Sequence, residues 1–182
     1  VGGKLAAITP TEYVERYRDR LPQKISGKAF AAKFGTVRGL NGTPDPKQVY
    51  KVRSRAEHHI YENRRVHDFA TDIARARRTN SPDAIIHAGD LMYASHWSHS
   101  QRCGIGGVEA DTLVTAIRRH GAGAGLYGAK VTAGGDGGEL VVLASEPRSM
   151  LTRRPAVVTS PVTLKSTTSL PARTLRSTKL TG

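Results

Sequence analysis

The chain has 182 residues, 38% hydrophobic and 5% aromatic, which suits one domain with a core plus segments that do not pack. Twenty-eight Lys and Arg against fifteen Asp and Glu give a net charge of +13, which favours polyanionic or phosphorylated partners. No long apolar run marks a membrane span, and the single cysteine, Cys103, excludes an internal disulfide, so we expect a cytoplasmic protein.

A predicted loop precedes the first predicted helix. Residues 34–56 are rich in Gly and Pro and are expected to form this loop, with a short strand at 48–54. A helix is predicted from about His58 to Arg78, because Val66, Phe69 and Ile73 recur at helical spacing.

Two further helices are predicted from their end signals. Residues 81–100 open with Ser81 as N-cap, Pro82 at the first helical position and an acidic first turn. Residues 109–121 carry basic side chains at the last turn and end at Gly121, a common C-terminal stop.

A glycine-rich segment follows between two apolar runs, 126–133 and 139–144, which read as strands. Residues 133–138 have the sequence AGGDGG. They lack the Gly-Lys-Ser/Thr ending of a Walker loop and join two strands, so on local grounds a wide hairpin turn is favoured over a phosphate-binding loop. Helices followed by an antiparallel hairpin predict an α+β fold.

The composition changes at residue 146. From there to residue 182 the chain has four prolines, thirteen Ser or Thr, no aromatic residue, one acid and seven Lys or Arg, a net +6 of the total +13. Such a segment buries too little apolar surface to offset its ordering entropy, so a disordered basic tail is predicted.

Two other candidate sites are less favoured by the residues. His96, His99 and Cys103 could present metal ligands on one helical face, but no second ligand pair accompanies them, so we predict no metal site. Residues 54–69 are rich in Arg and His, yet acidic residues are interleaved, which favours a mixed, solvated helix face over a nucleic-acid patch.

Three stretches in order resemble a known family. They read HHIYENRRV (58–66), GDLMYASHWSHSQRCGIGG (89–107) and LYGAKVTAGGDGG (126–138). In pattern they resemble the C-terminal half of the GHMP-superfamily sugar kinases, closest to the L-arabinokinase and galactokinase-like branch.

The resemblance implies a domain organisation and a fold. Residues 1–57 would be a linker and the start of the C-terminal domain, residues 58–145 a GHMP-kinase-like C-terminal domain, and residues 146–182 the tail. The implied fold is of the GHMP kinase C-terminal domain type, incomplete, with helices packed on an antiparallel sheet that carries a glycine-rich hairpin.

The resemblance also implies a site at that hairpin. The residues proximal to nucleotide or substrate would be Lys130, Thr132, Gly134, Gly135, Asp136, Gly137 and Gly138. Ala133 stands where the family usually has the first of three glycines, Asp136 stands at a Ser or Phe position, and His59 replaces a proline. No catalytic residue is assigned, because neither a glycine-rich ATP loop nor a catalytic aspartate of the family is found.

The implied function is phosphoryl transfer from ATP, with Mg²⁺, to the anomeric hydroxyl of galactose or L-arabinose. The sugar and ATP would be partners of the complete enzyme, and the chain alone is expected to be inactive, as a fragment. The alternative is a non-catalytic basic module whose tail binds nucleic acid weakly and nonspecifically, with no membrane partner.

Overall fold

The structure, a computed structural model, describes four stretches of the chain: residues 4–35, 44–132, 139–145 and 162–163. Most of the described residues are helical, and the strands are short. None of the described helices is long and apolar enough to cross a membrane.

The N-terminal residues form short helical turns. Helix α1 (Pro10–Glu12) begins after Thr9, whose hydroxyl accepts a hydrogen bond from the Glu12 amide at 3.1 Å. It continues as a π-helical turn (Tyr13–Tyr17) and a 3₁₀ turn (Arg18–Arg20). This segment is anchored rather than free, because Tyr13 is fully buried.

A small two-stranded sheet follows. Strand β1 (Ile25–Ser26) pairs antiparallel with β2 (Val49–Tyr50), and helix α2 (Gly27–Phe34) starts directly after β1. The strand predicted at 48–54 is confirmed for its second and third residues only. The rest of that segment is helical, because the next helix begins at Val52.

Helix α3 (Val52–Thr79) confirms the predicted helix but begins six residues earlier than expected. The early start has a tertiary cause: the Arg53 guanidinium donates two hydrogen bonds to the Leu21 carbonyl, at 3.1 and 2.7 Å. The predicted apolar stripe is wrong at Val66, which is 57% exposed, whereas Phe69 and Ile73 pack against the core.

Helix α4 (Pro82–Ser98) starts as predicted, with the Ser81 hydroxyl accepting from the Ala84 amide at 3.4 Å. It continues into a π-helical turn (His99–Cys103) that ends at Gly104, whose φ of 68° is left-handed. Helix α5 (Val108–His120) confirms the predicted third helix and ends at Gly121.

The second sheet is antiparallel with strand order β3-β4-β5. Its strands are β3 (Leu126–Val131), β4 (Glu139–Ala144) and β5 (Val162–Thr163). Both strands predicted around the glycine cluster are therefore confirmed, and they pair with each other. Apart from the two residues of β5, which pair with β4, the predicted tail lies outside the described residues, so its disorder stays a prediction.

The core lies between the helices and this sheet. Helix α4 contacts both α3 and β3, and α5 packs on β3. The buried side chains of the cluster under α5 are Tyr93, Ala110, Val114, Ala129, Val131 and Leu140. These helices packed on an antiparallel sheet confirm the predicted α+β fold.

Two glycines let α4 lie against β3 at backbone distance. A Cβ atom added at Gly128 would lie 2.6 Å from the Gly89 Cα, and one added at Gly89 would collide with the Tyr127 carbonyl. The helix and the strand therefore meet without side chains between them at this crossing. This contact fixes the height of α4 above β3.

Candidate functional site

A largely buried carboxylate joins three elements of the domain beside the hairpin. Glu62 of α3 accepts hydrogen bonds at Oε1 from the Ser95 hydroxyl of α4 and from the Lys130 ammonium of β3, the latter at 3.0 Å. Its Oε2 accepts from Arg65 Nε at 2.9 Å. We call these four residues the Glu62 cluster, and it ties β3 to both helices.

The charge of this carboxylate is strongly held. Burial would raise the pKa of Glu62, but the Ser95 hydrogen bond, the charge and hydrogen bond of Lys130, and the Arg65 hydrogen bond together lower it to about 2. About a fifth of the Glu62 side chain and a quarter of the Lys130 side chain are exposed. At neutral pH Glu62 and Lys130 therefore form an ionised, largely desolvated pair within the cluster.

His96 forms a second link between the strand and the helices. The Val131 amide donates to His96 Nδ1 at 3.4 Å, so the ring proton lies on Nε2, which is 3.0 Å from Asp111 Oδ1. Asp111 also accepts from the Ser100 hydroxyl at 2.9 Å. Burial lowers the pKa of His96 despite Asp111, which favours the neutral imidazole.

Two histidines, one near the start of α3 and one in the π-helical turn after α4, are in edge-to-face contact. His58 Nδ1 is 3.0 Å from the Ser98 hydroxyl, and the His58 and His99 rings meet edge to face at 5.1 Å. His99 Nδ1 is buried and has no hydrogen-bond partner within the described ranges. Burial lowers the pKa of His58 to about 4 from its ordinary 6.5, outweighing the opposite effect of Glu62.

This burial predicts a loss of stability in mild acid. Because the folded pKa of His58 is depressed, the unfolded chain binds the proton first, so the free energy of unfolding falls as pH decreases from 6.5 to 4. We expect His58→Asn to remove about 2 kcal/mol of this pH-dependent loss. Urea unfolding at pH 7, 5.5 and 4 measures it.

The matched control is His67→Asn, an exposed histidine of the same helix. It should leave the pH profile of the wild type unchanged. If His58→Asn and the wild type lose stability in parallel over this range, His58 is not the group responsible.

The base of the predicted glycine hairpin is described, and its tip is not. Gly134, Gly135, Asp136, Gly137 and Gly138 lie outside the described residues. Lys130 belongs to the Glu62 cluster, and the Thr132 amide and hydroxyl both donate to the Glu139 carbonyl, at 2.8 and 3.2 Å. In the described part, both side chains therefore hold the hairpin in place.

The three residues weighed as metal ligands have different surroundings. The His96 ring is engaged by Asp111 and the Val131 amide, and the chain leaves α-helical geometry after Ser98, ahead of His99 and Cys103. Cys103 is a buried free thiol, and burial raises its pKa. Across residues 4–35, 44–132 and 139–145, no group of three or more His, Cys, Asp or Glu side chains could hold a metal ion.

The sequence did not indicate that Glu57 and Glu62 form contacts between elements. The helix face at 54–69 was predicted to be solvated, and Arg64 and Asp68 do form an exposed ion pair. Glu57 and Glu62, however, are turned inward, with 16% and 19% of their side chains exposed. Apart from Arg65 on the same helix, their partners come from other elements, so no local pattern indicates these contacts.

The three ordered stretches resemble those of the GHMP-superfamily sugar kinases, and the α+β fold is compatible with that resemblance. No protein-family model matches the chain. Over 145 residues, 76% of the chain, it is 32% identical to L-arabinokinase from Arabidopsis thaliana. This similarity confirms the predicted family resemblance, and the chain spans 14% of the length of that relative.

Proposed function

We propose that the chain is the C-terminal part of an ATP-dependent sugar kinase. The reaction would move the γ-phosphoryl group of ATP to the anomeric hydroxyl of L-arabinose or galactose, giving a sugar 1-phosphate and ADP. The observation that carries this proposal is the 32% identity to L-arabinokinase across 76% of the chain. We expect the reaction in the cytoplasm.

In this proposal the chain supplies the wall of the site that the glycine hairpin forms. Residues 134–138 approach the phosphates, and Lys130 and Thr132 fix the strand that leads to them. The contacts that support this role are the Lys130–Glu62 ion pair at 3.0 Å and the hydrogen bonds of Thr132 to Glu139. Phosphoryl transfer depends on positioning, so a rigid hairpin base matters to the rate.

The described residues do not fit a magnesium site of their own, because they contain no suitable group of acidic and histidine ligands. Lys130 Nζ already meets Glu62. ATP and Mg²⁺ are therefore expected to need groups outside the described part as well. Because neither the glycine-rich ATP loop nor the catalytic aspartate of the family is found in the sequence, we expect that the 182 residues alone do not phosphorylate a sugar.

A segment exchange tests the proposal. The matched segment of L-arabinokinase is replaced by residues 1–145 of this chain, and ATP-dependent formation of L-arabinose 1-phosphate and galactose 1-phosphate is measured. We expect measurable transfer to one of these sugars from the hybrid and none from the chain alone. A hybrid that is folded by circular dichroism but inactive towards both contradicts the proposal.

A matched pair of lysine variants tests the hairpin base within the same hybrid. Lys130→Met leaves Glu62 without its ammonium partner and is expected to lower kcat at least about tenfold by displacing the hairpin. Lys24→Met, at an exposed lysine, should leave kcat unchanged. Equal kcat values for the two variants would remove Lys130 from the proposed role.

The alternative function, polyanion binding by the basic tail, has only the charge of residues 146–182 in its favour. Except for the two residues of β5, this segment lies outside the described residues. It stays a prediction, ranked below the kinase proposal.

A further inference from the structure

An open cleft of about 630 Å³ lies between α3, α4 and α5. Its charged and aromatic lining includes Arg65, Arg102, Arg118, Tyr61, Tyr93 and Trp97. The volume is that of a site for a small metabolite. Lys130 and Thr132, which hold the base of the hairpin, are not among its described lining residues, whereas Arg65 of the Glu62 cluster is.

The arginine side chains of the cleft are held in place by their neighbours. The Arg102 guanidinium lies 5.3 Å from the centre of the Tyr61 ring and 5.7 Å from the Trp97 ring, and its Nη1 is 2.7 Å from Glu57 Oε2. The Arg118 guanidinium lies 5.0 Å from the Tyr93 ring. Groups fixed in this way lose little side-chain entropy when a ligand binds.

The cleft has an unused hydrogen-bond donor and an arginine that forms no ion pair with the described residues. Within the described part of the chain, the buried Tyr93 hydroxyl has no hydrogen-bond partner, whereas Arg65 Nη2 lies 2.8 Å from Glu62 Oε2. Arg65 and Arg102 are paired with Glu62 and Glu57, but Arg118 has no acidic partner among the described residues.

The chemistry of these donors identifies the class of ligand. Guanidinium groups present parallel N–H donors that match the oxygens of a phosphate group, and Arg is favoured over Lys where such pairing occurs. Counted together with Glu62 and Glu57, Asp90 offsets the charge of Arg118, so the directed guanidinium and hydroxyl donors, and not a net charge, select the ligand.

We propose that this cleft binds a small phosphate monoester. Its phosphate oxygens accept from Arg118, Arg102 and the Tyr93 hydroxyl, and its organic part lies against the exposed Trp97 ring. The proposal is argued from the described lining of the cleft alone, so it does not depend on the kinase proposal.

Trp97 is the single tryptophan of the chain, so its fluorescence reports directly on the cleft. The full chain is titrated with inorganic phosphate and with glycerol 3-phosphate at constant ionic strength, and glycerol serves as the neutral control. We expect a saturable change in Trp97 fluorescence with both phosphates, tighter for the monoester, and no change with glycerol. A response that is absent or does not saturate overturns the proposal.

Two variants that each remove one positive charge distinguish binding in the cleft from nonspecific attraction of phosphate to a basic protein. Arg118→Gln is expected to weaken phosphate binding at least about tenfold, the loss of one charge-assisted interaction. Arg119→Gln removes a neighbouring exposed arginine that does not line the cleft and should change the affinity less than about twofold. Equal effects of the two changes, with both variants folded by circular dichroism, overturn the proposal.

Discussion

Gly89→Ala is expected to lower the free energy of unfolding by about 3 kcal/mol, at the upper end of the range for overpacked cores. The new methyl group would collide with the Tyr127 carbonyl, which is backbone and belongs to β3. Relief requires α4 to move away from the strand, which opens the packing of Met92 and Leu143 on either side. Urea unfolding of the purified chain, followed by circular dichroism, measures the change.

Gly123→Ala is the matched control for this change. A Cβ atom at Gly123 would have no neighbour within 4 Å, so the variant should unfold within about 0.5 kcal/mol of the wild type. Comparable losses in the two variants would mean that the close approach of Gly89 to β3 does not limit stability.

Local signals in the sequence were sufficient for most helices and strands of the domain. The Ser81-Pro82 start of α4 depends on hydrogen bonds and φ preferences within one turn, so the structure could confirm it directly. The strands β3 and β4 likewise follow from two apolar runs separated by glycines. These elements required no knowledge of the rest of the chain.

The face that α3 buries could not be predicted in the same way. Hydrophobic periodicity placed Val66 on the buried stripe, but at this level the helix turns Glu62 and Arg65 inward instead. Their burial is stabilised by Lys130, which lies 68 residues further along the chain than Glu62. A pattern of apolar residues contains no information about such a distant partner.

The candidate site was likewise only partly predictable from the sequence. The family resemblance indicated the hairpin and Lys130, because ordered motifs are visible in a sequence. It did not indicate that Glu62 binds Lys130 or that His96 accepts from the Val131 amide, since both depend on how α3 and α4 pack against β3. The residues that hold the site were therefore visible only in the structure.

Glu62→Gln is expected to lower the free energy of unfolding by about 3 kcal/mol at pH 7, the cost of breaking a buried ion pair. The variant leaves Lys130 and Arg65 as charges without a counter-ion at a site where less than a quarter of the Glu62 side chain is exposed. The wild-type pKa of about 2, against an ordinary 4.5, corresponds to a contribution of similar size, about 3 kcal/mol.

The pH dependence distinguishes this charge effect from a simple loss of packing. Because the folded pKa of Glu62 is depressed, its contribution is fully present above pH 4.5 and is lost as pH falls towards 2. The wild type and Glu62→Gln should therefore converge over this interval, whereas a packing defect would keep them apart at every pH. Asp68→Asn, which breaks an exposed pair on the same helix, should change stability by less than about 0.5 kcal/mol throughout. A difference between wild type and Glu62→Gln that does not shrink in acid would show that Glu62 acts through its shape and not through its charge, and the ion pair with Lys130 could then no longer explain how the hairpin base is held.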